Sequence, residues 1–324
     1  MASPFGRAHV VVNPRAGRGA VERGWPEVRR VLDDGRVDYD VTVTDRPGHG
    51  TQAARAAVEN GCTFVVAVGG DGTVHEVVNG LMGEEGPRNP ATVLGVVAAG
   101  SGCDFVKTFG LPQDPGDAAA HLLGESWWGK IDVGRIRCTG VDGESRTRWF
   151  ANIAEAGIGA EVVDAASRMP KFFGPRVYKL AALKTIARFK PKTATIEMHG
   201  RTTRGKHGED EALSALQHEG VFSMLVVANG QFFGGGMRVA PRAVPGDGLF
   251  DVQISLGPRG ESVKAMQKMF KGEHIPSPYI KEYLAATVVV GAGKDPILIE
   301  ADGEVVGHTP ATFDIVPDAI PMKV

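Results

Sequence analysis

Four short runs rich in β-branched residues, Ala8–Val12, Tyr39–Thr44, Thr63–Val68 and Val93–Ala98, alternate with stretches of helical spacing. Those stretches are Val21–Leu32, Gln52–Asn60, Val74–Met82 and Ala118–Leu123, rich in Ala, Glu and Arg. Parallel strands need a long crossover between them, and helices supply it, so the alternation leaves few folds open. It predicts a doubly wound α/β domain over residues 1–128, a parallel sheet covered by helices on both faces. Ligands of such sheets bind beyond the carboxyl ends of the strands, where the strand order reverses.

From Trp128 the texture changes. Strand-like runs follow one another at Ile131–Arg137, Trp149–Ala154, Thr193–Met198, Val221–Ala228, Leu249–Ile254, Ala286–Val290, Ile297–Ala301 and Phe313–Val316, punctuated by Gly and Pro. This predicts an antiparallel β-sandwich over residues 129–311. Helical spacing returns at Ala160–Met169, Arg176–Phe189 and Glu261–Phe270, and the polar stretch Thr202–Glu219 reads as a solvated loop. A chain of 324 residues accommodates two domains of roughly 100–200 residues each.

A net charge of −2 excludes the overall basic field of a nucleic-acid binder. Cys62, Cys103 and Cys138 form no CxxC pair, which argues against a zinc site or a disulfide framework and fits a reducing cytoplasm. No apolar run approaches the roughly 18 residues of a membrane span. A cytoplasmic protein is expected, one that reaches any lipid at the inner membrane face by peripheral contact.

Chemistry concentrates in three loops. Gly69-Gly70-Asp71-Gly72-Thr73 follows an apolar strand and precedes a helix. Successive glycines let backbone N–H groups face an anion, and a helix start adds partial positive charge. A carboxylate there needs a cation, so Asp71 points to Mg²⁺ with nucleotide phosphates or to a base beside the transferred group. The alternative is a tight turn with an Asp cap. Thr73 and Glu76 have capping-box spacing, so Glu76 is expected to cap its own helix. Asn13-Pro14-Arg15-Ala16-Gly17-Arg18-Gly19 suits a phosphate or adenine contact, or is a plain connection; it is neither a Walker A loop nor a Rossmann fingerprint. Gly100-Ser101-Gly102-Cys103-Asp104 follows the fourth strand, so all three loops are expected at one end of the sheet. Convergence of three anion-type loops is the case for a nucleotide. In the second domain, Pro245-Gly246-Asp247-Gly248 and Asp302-Gly303-Glu304 read as hairpin turns from spacing alone.

In this order the segments resemble the catalytic region shared by diacylglycerol kinases, sphingosine kinases and related bacterial lipid kinases. The matching stretches are VVNPRAGRG at 11–19, GGDGTVHEVVNGL at 69–81, AAGSGCDF at 98–105, ANIAEAGIGAEV at 151–162, VANGQFFGGGMRVAP at 227–241, PGDGLFDV at 245–252 and EADGE at 300–304. The resemblance implies two domains with ATP and Mg²⁺ in the cleft between them, and a chain end, 312–324, that returns to the first domain. It implies nucleotide contacts from Asn13, from Arg15, Ala16, Gly17, Arg18 and Gly19, from Gly70, Gly72 and Thr73, and from Gly100, Ser101 and Gly102. Asp71 would serve metal and catalysis, Asp247 would organise a metal or water, and Glu304 matches a carboxylate implied as general base. Asp104 and Asp302 are lesser candidates. The base stays open between Asp71 and Glu304. The family's third loop usually reads Gly-Thr-Gly-Asn-Asp; Cys103 here lacks the amide, which bears on nucleotide affinity.

The implied reaction is phosphoryl transfer from ATP to a lipid hydroxyl, with diacylglycerol, giving phosphatidic acid, as the leading acceptor. Sphingosine or another long-chain base, ceramide and monoacylglycerol also present a hydroxyl near an apolar tail. Rival readings are a kinase of NAD or another soluble metabolite and a nucleotide- or lipid-binding protein without turnover; retention of both Asp71 and Glu304 argues against the last. Lys171–Lys192 interleaves basic and apolar residues, as a helix on anionic lipid would or as an ordinary covering helix would. Oligomeric state stays open; a homodimer through a β-domain edge is compatible with the sequence but unsupported by it.

Overall fold

Strand β1 (Ala8–Val12) begins the first of two compact units in the computed structural model, which describes residues 6–98, 103–124, 129–169, 176–204 and 210–323. The chain continues through α1 (Ala16–Asp34), β2 (Tyr39–Val43), α2 (His49–Glu59), β3 (Phe64–Gly69), α3 (Asp71–Leu81), β4 (Val93–Ala98), α4 (Asp104–Thr108) and α5 (Pro115–Leu123). The strands lie in the order β2-β1-β3-β4 and all pair in parallel. Alternate side chains explain the layers. Val10, Val12, Val66 and Val68 bury against Val21, Val28 and Leu32 of α1 and Ala118, Ala119 and Leu122 of α5. Val11, Val65 and Ala67 point the opposite way and are equally buried, and α2 and α3 pack against β1 and β3. The order reverses between β1 and β3, so the β1–α1 and β3–α3 loops flank a switch point.

The second unit covers residues 134–315. It contains most of β5 (Gly129–Gly140), then β6 (Ser145–Phe150), β7 (Ile153–Gly157), α6 (Ile158–Ser167), α7 (Arg176–Arg188), β8 (Lys192–Arg204), β9 (Asp210–Phe222), β10 (Met224–Ala228) and β11 (Phe250–Ser255). After these come α8 (Arg259–Met269), β12 (Ile280–Ala285), β13 (Thr287–Val290), β14 (Leu298–Ala301) and β15 (Glu304–Met322). One layer runs β12-β11-β10-β7-β14, all antiparallel, and β8 carries β9 and β13. β15 pairs with β14 near its start and with β13 at Ala311–Asp314, which joins the layers around one core. Ala154, Ala156, Leu225, Val227, Ile299 and Ala301 face that core, where Phe150 and Phe250 stack at 5.5 Å. This is a β-sandwich, as expected.

The last residues belong to the first unit, which takes in the chain from Val316. Met322 pairs in parallel with Leu94, and the Lys323 N–H donates to the Leu94 carbonyl at 2.9 Å.

Three expectations need correction. The stretch 202–219 is no simple loop: β8 and β9 form a long hairpin ladder from Lys192↔Phe222 to Arg204↔Asp210, and residues 205–209 lie outside the described part. The run Trp149–Ala154 is two strands broken at Ala151–Asn152, and Val221–Ala228 is broken at Ser223, whose N–H donates to the Ser255 carbonyl. Helix α4 and strand β12 were not anticipated.

Candidate active site

The β1–α1 loop departs from regular geometry where its glycines fall. Gly17, Arg18 and Gly19 all have positive φ, at 57°, 58° and 77°. Glycine takes such angles freely, whereas Arg18 holds one at a cost of about 1–2 kcal/mol. Asn13 opens the turn: its Oδ1 accepts the Arg15 N–H at 3.2 Å, its carbonyl accepts the Ala16 N–H at 3.1 Å, and its own N–H donates to Val68 of β3. Arg15, Gly17 and Arg18 are exposed.

The β3–α3 loop lies across the switch point. Asp71 is the first residue of α3, and its carboxylate accepts N–H bonds from Asp104 at 3.1 Å and Phe105 at 3.0 Å, the start of α4. Bonds of this charge-assisted type fix the carboxylate and tie the start of α3 to the start of α4. Gly70 and Gly72 face open space, and the buried Thr73 hydroxyl has no hydrogen-bond partner. Asp104 is 4% exposed and pairs with Lys107 at 2.7 Å. Cys103 is buried with its thiol 3.6 Å from the Gly69 carbonyl at the end of β3. Gly100, Ser101 and Gly102 lie outside the described residues.

Glu76 does not cap its own helix. Its carboxylate reaches across to α2 and accepts the Gly48 and Gly50 N–H groups at 2.7 and 2.8 Å. The capping-box spacing misleads because Gly70, not Thr73, precedes the first turn of α3.

In the second unit, Asp302 is a clamp. Its carboxylate accepts the N–H groups of Ala151, Asn152 and Ile153 at 3.1–3.2 Å and thereby sets the break between β6 and β7. Next in the same turn, Glu304 is exposed. Asp247 is exposed and accepts the Leu249 N–H at 3.0 Å ahead of β11. Two acidic residues on strands escaped notice in the sequence: Glu155 of β7 and Glu300 of β14 are 2% and 0% exposed. The only hint was glycine on both sides of Ile158, directly after β7.

Among the described residues no three His, Cys, Asp or Glu side chains cluster in a way that would hold a metal alone. No helix among them is long and apolar enough to cross a membrane. Of the basic segment Lys171–Lys192, residues 171–175 lie outside the described residues. In α7, Ala181 is buried in a cluster with residues of α6; Lys184 and Arg188 are exposed, and Phe189, just beyond the helix, is buried.

Residues 7–136 match the diacylglycerol kinase catalytic domain, and residues 152–324 match the YegS C-terminal NAD kinase beta sandwich-like domain. A diacylglycerol kinase of Mycobacterium tuberculosis is 29% identical over 98% of this chain and 94% of its own length. One from Bacillus subtilis is 26% identical over 95% and 92%. A Xanthomonas oryzae pv. oryzae protein named "Probable lipid kinase YegS-like" is 33% identical over 73% of this chain and 70% of its own. A crystal structure of a diacylglycerol kinase from Bacillus anthracis str. Sterne superposes with a TM-score of 0.68 at 18% identity, over 99% of this chain and 97% of that one. Two matched domains in this order, spanning the loops and clamp described above, make this chain a lipid kinase of the diacylglycerol kinase and YegS-like family.

Proposed function

We propose that the chain transfers the γ-phosphoryl group of ATP, with Mg²⁺, to the hydroxyl of a membrane lipid, diacylglycerol first among acceptors, giving phosphatidic acid. The observation that carries this reading is Asp71, its carboxylate fixed by the Asp104 and Phe105 amides beside two glycine-rich loops at the switch point. Phosphoryl transfer asks for positioning and charge neutralisation more than covalent help, and a fixed carboxylate among backbone donors suits it. When bound, ATP and its metal supply the phosphoryl group and neutralise its charge.

Asn13, the turn Arg15–Gly19 and the loop Gly70–Thr73 hold the phosphates in this reading. Open space at Gly70 and Gly72 and the unpartnered Thr73 hydroxyl support the fit. Asp71 would be the main protein ligand of Mg²⁺, which habitually takes one or two carboxylates and fills its remaining sites with phosphate and water. Asp247 would organise water or metal from the second unit. The exposed Glu304 takes the acceptor's proton late in the step, with Asp71 the other candidate. The lipid would be met at a membrane surface by peripheral contact.

ATP consumption with Mg²⁺ over diacylglycerol, sphingosine, ceramide and NAD, for the wild type, Asp71→Asn and Glu304→Gln, tests this. Diacylglycerol-dependent turnover lost in Asp71→Asn is expected. Turnover on NAD alone would move the chain to soluble substrates.

A further inference from the structure

Glu155 and Glu300 are direct partners in the β7–β14 ladder, on adjacent antiparallel strands. Their neighbours Ala154, Ala156, Ile299 and Ala301 fill the sandwich core, so by strand alternation both carboxyl groups point to the other face. Helix α6 packs on β7 and β14. Gly159 in its first turn comes so close that a Cβ there would overlap the Glu155 carboxyl. Glu300 Oε2 accepts the Gly303 N–H at 2.8 Å; Glu300 Oε1 and Glu155 Oε2 have no hydrogen-bond partner.

Two charges cannot persist here. Each carboxylate has lost its water, no cation faces it among the described residues, and the two repel. Burial pushes the Glu155 carboxyl up to about 8. Burial, and then the Glu155 charge, drive Glu300 well above the usual carboxylate range, against the lowering effect of the Gly303 N–H. The described residues of the surrounding elements offer no relief. Glu161 and Asp164 of α6 are taken by Lys192 and Arg168 at 2.9 and 2.8 Å, and the row neighbours Val226 and Val305 are uncharged. Asp302 adds further negative charge, and Glu304 is exposed.

We propose that Glu155 and Glu300 share a proton and in that state act as a positioning pair, fixing the Asp302-Gly303-Glu304 turn for phosphoryl transfer. The protonated carboxyl donates to the unpartnered oxygen of its neighbour, which leaves Glu300 Oε2 to hold the Gly303 N–H. The turn needs the tether, because Asp302 is held at a positive φ of 49° ahead of Gly303. Loss of the shared proton leaves two adjacent anions, and Glu300 relieves the repulsion by turning from Gly303. The functional part of this inference rests on the reading of Glu304 as a participant in the reaction.

Hydrogen exchange of the peptide containing Gly303, corrected for the intrinsic pH dependence, tests the pair without reference to activity. Between pH 7 and 9.5, protection in the wild type should fall at least tenfold, and kcat should fall with it while KM for ATP stays level. Glu155→Gln keeps a neutral donor beside Glu300 and should remove both falls; Glu300→Gln provides a second variant should the first fail to fold. The same pH dependence of exchange in wild type and a folded Gln variant would overturn the shared proton. Exchange that behaves as expected while kcat does not follow it would overturn the placement of Glu304 in the reaction and leave the pair standing.

Discussion

At the scale of single residues, carboxylates here act by holding backbone N–H groups, and each hold has a measurable consequence. Asp71 binds two amides at the start of α4. Its proposed role predicts that Asp71→Ala lowers lipid-dependent kcat by about 100-fold or more, the range typical of losing a key electrostatic group. Bound nucleotide, followed by fluorescence, separates loss of catalysis from loss of fold. Glu76 caps the neighbouring helix α2 through Gly48 and Gly50. Glu76→Ala should therefore destabilise by about 0.5–2 kcal/mol, as cap removals do. Chemical denaturation should show that loss, with kinase activity retained at moderate temperature.

At the scale of elements, the turn at Asp302 fixes where β6 ends and β7 begins. Asp302→Ala strands three buried N–H groups, at about 1–3 kcal/mol for each unsatisfied group. Denaturation should show a loss of at least about 2 kcal/mol, and Asp302→Asn should recover part of it. The strands of the first unit were legible nearly to the residue, because Val10, Val66 and Val97 lie in short buried runs bounded by Gly, Asn and Asp. The break at Ala151–Asn152 was not, since its cause lies about 150 residues away in Asp302. The part of the β8–β9 hairpin at Thr193–Met198 was legible from the alternation of Ala194, Ile196 and Met198, whereas 202–219 was missed because that stretch is dominated by polar and charged residues; its ladder is held by backbone bonds that leave no mark on composition. The glycine loops and Asp71 were legible from type and spacing. The Glu155–Glu300 pair was not: Ala154-Glu155-Ala156 reads as a strand with one wet face, and only α6 makes that face dry.

At the scale of the whole molecule, the buried pair couples folding to pH. The pair holds its shared proton in the fold until Glu155, pushed up by burial, ionises at about 8, whereas an exposed glutamate ionises near 4.5, so unfolding releases a proton between those values. Stability from this source is complete below about pH 4.5 and is lost as pH rises through about 8. Thermal denaturation should show the wild type losing stability relative to Glu155→Gln across that window; parallel curves would contradict it. The family assignment rests on two domains matched in order along nearly the entire chain. Its central chemical consequence, transfer of phosphate to a lipid, is open to direct measurement. ATP labelled on its γ-phosphate, Mg²⁺ and mixed micelles of diacylglycerol, followed by organic extraction, would follow the label itself. Label in the lipid phase as phosphatidic acid, abolished in Asp71→Ala, is the predicted result. Label found only in inorganic phosphate or a water-soluble product, with every lipid acceptor unmarked, would contradict it.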